Sequence, residues 1–289
     1  MEEVSGGVAY SESRPIDVRW LVGLLIAALA TAVAIHIYSE EEGFRTYAVK
    51  AIELKVDSLS QIVPVDDSLV QPILYSHIPG LESVHTEQAK SLFVSALLPS
   101  ILIVKHSLEQ EAAKLHYLLQ KERWTSRDSA FYEEQRQRYN ASNPENLLTR
   151  MITLPNSIVL AQAAVETGWG RSRFFLEANN VFGIWSYNPN EPRMRAGSLR
   201  DSVEIYVRSY DNLAQSIHDY FRTLGSARAY SSLRRASHET NDPFLLLPHL
   251  ARYSERGIAY TKQLKTIIQQ NNLTRFDNFR INPQFLEEE

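Results

Sequence analysis

The chain has 289 residues, a formal net charge of −4 and no cysteine. Disulfides, thiolate metal sites and cysteine nucleophiles are therefore excluded, and the absence of a long basic stretch argues against nucleic acid as a partner. The eight histidines are scattered without an HExxH pattern, so neither a metal site nor a cofactor is expected.

Residues 1–17 are polar and read as a disordered tail. Residues 18–38 form a hydrophobic segment. Its core, Trp20 to Tyr38, contains no Lys, Arg, Asp or Glu. At ~1.5 Å per residue it is just long enough to cross a ~30 Å hydrocarbon layer. Trp20 and Tyr38 stand at its ends, Arg14 and Arg19 precede it, and Glu40, Glu41 and Glu42 follow. The positive-inside rule then puts the N-terminus in the cytoplasm and the rest of the chain across the membrane. The small residues Ala28, Ala30, Ala32 and Ala34 leave a cleaved signal peptide open as the alternative to a permanent anchor.

Residues 39–85 read as a linker, a juxtamembrane arm or a segment that wraps the next domain, because Pro64, Pro72, Pro79 and Gly80 interrupt regular structure. From Thr86 the pattern turns helical, with Ala89, Phe93, Ala96 and Leu97 at steps of three and four. Pro99 predicts a break or kink, with a second helix over 101–119. Lys121 to Asn143 is polar and reads as a solvated helix face or loop. Asn143 before Pro144 is a helix start that ends ahead of Pro155.

The next stretch organises the rest. Ile158, Leu160, Ala161, Ala163, Ala164 and Val165 make a helix that is apolar nearly all round, as a buried helix is. Glu166 follows at its carbonyl end, and Gly168 and Gly170 stop it. The negative end of the helix and the apolar neighbours Val165 and Trp169 both disfavour a charged carboxylate there, so its pKa should rise. That is what a general acid near neutral pH requires. An ordinary last-turn glutamate facing water is the competing reading.

Residues 171–175 begin a short helix, and Asn179 to Trp185 form a loop. Ser186 to Gly197 reads as further loop, and Val203 to Tyr210 alternates like a strand. Asp211 is placed to cap a helix over 213–224, after which Tyr230 follows. Pro243 to Tyr253 gives another short helix, a closing helix runs to Ile268, and residues 271–289 look polar and loosely held.

The run Leu154 to Gly170, with Glu166-Thr167-Gly168-Trp169-Gly170, and the loop Asn179-Asn180-Val181-Phe182-Gly183-Ile184-Trp185 resemble the signature of the glycoside hydrolase 73 class of peptidoglycan glucosaminidases. Within that class the resemblance extends to the Bax proteins of Gram-negative bacteria. It implies a mainly α (α+β) architecture, a lysozyme-like helical domain over 86–270 with a small β lobe. It implies Glu166 as general acid, and a sugar cleft lined by Asn180, Phe182 and Trp185, with Tyr230 as a further contact. Glycosidic cleavage commonly needs two carboxyl groups. Glu204, on the expected strand, is the candidate for the second, with Asp201 and Glu191 nearby. A substrate acetamido group could serve instead. The implied function is hydrolysis of β-1,4 bonds at N-acetylglucosamine in peptidoglycan, by a domain held in the periplasm on an inner-membrane anchor or released there. A lytic transglycosylase or muramidase, and an inactive wall-binding module, are the rival readings.

Overall fold

The computed structural model describes residues 29–31, 44–200 and 203–288. The expected Trp20–Tyr38 span lies outside the described residues except for Leu29–Thr31, an exposed helical turn. Among the described residues one helix is long and apolar enough to cross a membrane, Thr86–Leu118, and 67% of its most apolar window is buried inside the protein. It is the central core helix and says nothing for an anchor.

That helix, α1, runs unbroken through Pro99, against the expected break. Proline removes one backbone hydrogen bond at a cost of ~3 kcal/mol. Here Val94 to Leu102 is buried without interruption, and packing on all sides offsets the loss. The N-terminal arm explains part of this enclosure. It supplies β1 (Tyr47–Val49), β2 (Ile52–Lys55), β3 (Leu69–Val70) and β4 (Ile73–His77). Val56, Ile62, Val70, Ile73, Tyr75, Ile78 and Leu81 all join the main core. From Tyr47 onward the arm wraps the domain, its strands and apolar side chains packed into the core.

Next come α2 (Ser126–Tyr139), α3 (Pro144–Arg150), α4 (Asn156–Thr167) and α5 (Arg173–Ala178). Asn143 caps α3 as expected, its side chain accepting from the Asn146 amide at 2.7 Å. The hairpin β5 (Arg193–Arg200) and β6 (Val203–Arg208) is antiparallel. Its first strand begins inside the stretch Ser186 to Gly197, where Pro189 and Pro192 predicted only loop. α6 (Leu213–Ser226) is capped by Asn212, one residue after the expected Asp211. α7 (Ser231–Glu239), α8 (Pro243–Leu246) and α9 (Ile258–Gln270) complete the helices.

The C-terminal tail is not loosely held. Leu273, Phe276 and Ile281 are buried in the core. β7 (Arg280–Ile281) pairs in parallel with β3, and β8 (Leu286–Glu288) pairs antiparallel with β1. Its polar composition is misleading because the apolar residues are few but spaced to face inward. Residues 46–289 therefore form one unit, mostly helical with four two-stranded ribbons. α1 packs on α4 and α6, and α9 packs on α4 as well.

Candidate active site

α4 is buried from Asn156 to Ala164, which explains why its sequence is apolar all round. Both of its ends are pinned. At the N-terminus Pro155 occupies the cap and offers no side-chain bond. The tail fills the gap: Asp277 accepts from the Ser157 amide at 2.7 Å and from the Ser157 hydroxyl at 2.9 Å. Asn156 donates to the Phe276 carbonyl at 2.7 Å and accepts from Lys105 at 2.8 Å. An acidic group there also complements the positive end of the helix dipole.

At the C-terminus Gly168, Trp169 and Gly170 all have positive φ, at 58°, 59° and 79°. The Thr167 hydroxyl, buried, donates to the Ala163 carbonyl at 2.6 Å and accepts from the Gly170 amide at 2.9 Å. Glycine at 170 has a second reason. A Cβ there would stand 3.0 Å from Phe93 and 3.1 Å from Leu81. Trp169 packs edge-on against Phe93 with ring centroids 5.6 Å apart. The turn is thus fixed by packing from α1, and the direction of Glu166 with it.

Glu166 is exposed to solvent, but one side of it rests on an aromatic cluster. Burial on that side raises its carboxyl pKa, while the Tyr260 hydroxyl bond and the charge of Arg256 pull it back in part. The exposure measures the open side and the desolvation measures the enclosed one, so the two do not conflict. Tyr260, on α9, donates to Glu166 Oε1 at 2.9 Å. Gln162, one turn earlier on α4, donates to the Tyr260 oxygen at 3.0 Å. The Tyr220 hydroxyl on α6 donates to Gln162 Oε1 at 2.6 Å. Three helices are wired to the carboxylate through this chain. Tyr253 stacks on Tyr260 with centroids 5.7 Å apart, and Phe182 stacks on Tyr220 at 4.1 Å.

The sequence-predicted binding residues separate by position. Asn180 is 1% exposed. Its amide donates to the Ile184 and Arg208 carbonyls, and its oxygen accepts from the Ile184 amide. It shapes the loop and ties it to β6, and its amide is committed internally. Phe182 is buried against Tyr220. Tyr230 is buried too, facing Tyr253 at 6.2 Å; burial first, and then the nearby Glu166 charge, raises its hydroxyl pKa. Trp185 is 40% exposed and lies 6.2 Å from Tyr187, itself 82% exposed. This pair is the exposed aromatic surface of the loop region. Tyr187 was not singled out by the sequence, where it is one tyrosine in a polar, proline-rich stretch. Tyr260 and Gln162 were also missed, because only the helix packing brings them to Glu166.

Glu204 lies on β6, near the far end of the hairpin, opposite Leu199 in the register. It is exposed, and both oxygens are engaged: Oε1 with Arg195 at 2.7 Å and Oε2 with the Tyr206 hydroxyl at 2.7 Å. Asp201 lies outside the described residues. Glu191 pairs with Arg208 at 3.3 Å. Arg208 in turn meets Asp219 of α6 at 2.7 Å. The hairpin is therefore clamped at its base through Asn180 and Arg208. No hydrogen bond or ion pair joins Glu166 to a second carboxylate among the described residues. No cluster of metal-binding side chains occurs among them either.

Residues 145–273 match the model of the glucosaminidase family, described as mannosyl-glycoprotein endo-beta-N-acetylglucosaminidase. Over 200 residues the chain is 26% identical to protein bax of Escherichia coli strain K12, which covers 63% of this chain and 69% of that protein. Among solved structures it is similar to the catalytic domain of the autolysin Auto from Listeria monocytogenes. That similarity has 22% identity and a TM-score of 0.37, over 58% of this chain and 97% of that one. A peptidoglycan hydrolase from Sphingomonas sp. A1 follows at 23% identity and a TM-score of 0.36, over 49% and 92%. These superpositions are too loose to carry an argument about activity.

Proposed function

Residues 145–273 are a domain of the glucosaminidase family, and from that premise we propose that the protein is a glycoside hydrolase of peptidoglycan, cutting β-1,4 bonds at N-acetylglucosamine. The observation that carries the reading is Glu166. It ends a buried, doubly pinned helix, one side open to solvent and the other desolvated by tyrosines. Its raised pKa keeps a proton available for the leaving oxygen at a pH where an ordinary glutamate would have lost it. Tyr260 then stabilises the anion left behind, donating the bond it already makes.

Trp185 and Tyr187 supply stacking faces for pyranose rings in this reading, while Asn180, Phe182 and Tyr230 support the site from within. Glu204 is the proposed second carboxyl, carried on the hairpin. At present it pairs with Arg195 and accepts from the Tyr206 hydroxyl. The substrate class comes from the motif resemblance, and a wall substrate implies action outside the cytoplasmic membrane.

The runner-up is a lytic transglycosylase or muramidase, which uses a similar single glutamate but cuts at N-acetylmuramic acid. Mass spectrometry of products from purified peptidoglycan separates the readings. Reducing N-acetylglucosamine ends support the proposal. Anhydro-muramic or reducing muramic ends replace it with the runner-up, and no product leaves a wall-binding module.

A further inference from the structure

Arg256 sits in the turn that leads into α9, four residues before Tyr260. The turn is built to hold one shape. The Gly257 amide donates to the Ser254 carbonyl at 3.0 Å, and the Arg256 amide donates to the Ser254 hydroxyl at 3.3 Å. Gly257 has a φ of 55°, a left-handed value that favours glycine. The Arg256 side chain is exposed but anchored: its Nη1 donates to Gln263 Oε1 at 2.7 Å. Gln263 comes three residues after Tyr260 on α9, and residues three apart are neighbours on one side of a helix. The guanidinium is therefore laid along the side of α9 that carries Tyr260, whose hydroxyl meets Glu166 at 2.9 Å. Its charge reaches the Glu166 carboxyl.

Arg256 forms no ion pair among the described residues, and its Nε and Nη2 make no hydrogen bond to them. Those two donors are the edge with which a guanidinium grips a carboxylate, through two parallel bonds at once. The chain shows this grip elsewhere: Arg136 meets the two oxygens of Glu133 through Nε and Nη2, each at 2.7 Å. At Arg256 the same edge is open beside the proposed acid. Glu166 does not fill it and takes its bond from Tyr260 instead. A neutral glycan such as chitin has no group for this edge. Peptidoglycan has one, because its muramic acid residues bear a lactyl carboxyl and the stem peptides joined there carry further carboxylates. We propose that Arg256 is a specificity residue that binds a carboxylate carried by the muramic acid beside the scissile bond, through Nε and Nη2. The inference rests on the glycosidase reading and narrows it to glycan with acidic substituents.

Calorimetric titration of the full Glu166→Gln chain reads binding without turnover, and in that background a change cannot come from the Glu166 charge. Three ligands separate the sources. Chitotetraose has no carboxylate. A peptide-free tetrasaccharide of alternating N-acetylglucosamine and N-acetylmuramic acid has free lactyl carboxyls. The third is the same tetrasaccharide bearing its stem peptides. At least one acidic ligand should bind more tightly than chitotetraose. Adding Arg256→Gln should weaken that ligand about tenfold, the worth of a charge-assisted hydrogen bond, and leave chitotetraose unchanged. Loss with the peptide-free ligand assigns the contact to the lactyl carboxyl, and loss confined to the peptide-bearing one assigns it to the stem. Circular dichroism melts check that the variant folds, and the parent chain's preference for an acidic ligand tests the same contact without the substitution. Equal binding of all three ligands, a loss that chitotetraose shares, or no loss in folded Arg256→Gln overturns the proposal and leaves the glycosidase reading standing. Failure of the folded parent chain to bind any of the three overturns both.

Discussion

Replacing Tyr260 with phenylalanine removes one hydroxyl and tests whether the tyrosine tunes the acid. That hydroxyl donates to Glu166 at 2.9 Å and accepts from Gln162 at 3.0 Å. Its bond to Glu166 favours the anion and holds the carboxyl pKa below what burial alone would give. A hydrogen bond to a charged group is worth ~1.5–3 kcal/mol. Glu166 is exposed on its other side, so water recovers part of the loss, and the net figure falls to about 1 kcal/mol. Losing the bond raises the Glu166 pKa further. A general acid works protonated, so the basic limb of kcat/KM must move to higher pH. The assay is clearing of purified peptidoglycan across pH. A second effect is separable: the buried Gln162 amide loses its acceptor, at a cost of ~1–3 kcal/mol in stability. A basic limb that stays in place, or moves to lower pH while the protein remains folded, would refute the positioning role.

Glu166→Gln should lower activity by ~10²–10⁴. Because the folded state holds the Glu166 proton more tightly than the ordinary 4.5, wild-type stability falls as pH rises from 4.5 through the raised value. The melting-temperature advantage of Glu166→Gln should therefore grow across that window and be flat below it. Trp185→Ala should weaken binding of chitin-type oligosaccharides with little change in melting, since the ring is 40% exposed; a collapsed melt with unchanged binding per folded molecule would return it to the core. Gly170→Ala should cost ~1–3 kcal/mol from its left-handed backbone alone, and crowding against Phe93 and Leu81 adds to that. An unchanged urea midpoint would contradict it. Asp277→Ala should cost ~1–2 kcal/mol by uncapping α4, read as a lower melting temperature.

What the sequence made legible was local. The apolar run of α4, its glycine stop and the Asn143 cap each depend on residues within a few positions of one another. What it hid depends on partners far along the chain. Pro99 reads as a break because its cost is local and its compensation, burial of α1 on every side, is not. The arm over 46–85 reads as linker because its strands pair with β7 and β8, more than 200 residues downstream, and with each other across prolines. Asp277 could not be seen as the cap of a helix 120 residues earlier. For the site the same holds. Glu166 announces itself by chemistry that contradicts its place in a helix, whereas Tyr260 looks like any tyrosine on an amphipathic helix. The family match begins at 145, yet Phe93 and Leu81, both outside it, are what deny Gly170 a side chain.

This division suggests how the two candidate carboxyls differ. Glu166 stands on a helix pinned at both ends and is wired through Tyr260, Gln162 and Tyr220 to two further helices. Glu204 stands toward the far end of a two-stranded hairpin held at its base by Asn180 and by Arg208 to Asp219, and midway by Arg173, which donates to the Arg195 carbonyl at 2.7 Å. A proton donor must meet the leaving oxygen within hydrogen-bond reach, and small errors there are expensive. In the proposed mechanism the rigid element carries that task. A base or nucleophile approaches from the other side of the sugar ring, at a separation set by the substrate, and the proposal gives that part to Glu204. Glu204→Gln should thus spare oligosaccharide binding at Trp185 and depress turnover; turnover that survives the substitution would remove Glu204 from the reaction and leave the substrate acetamido group as the second partner.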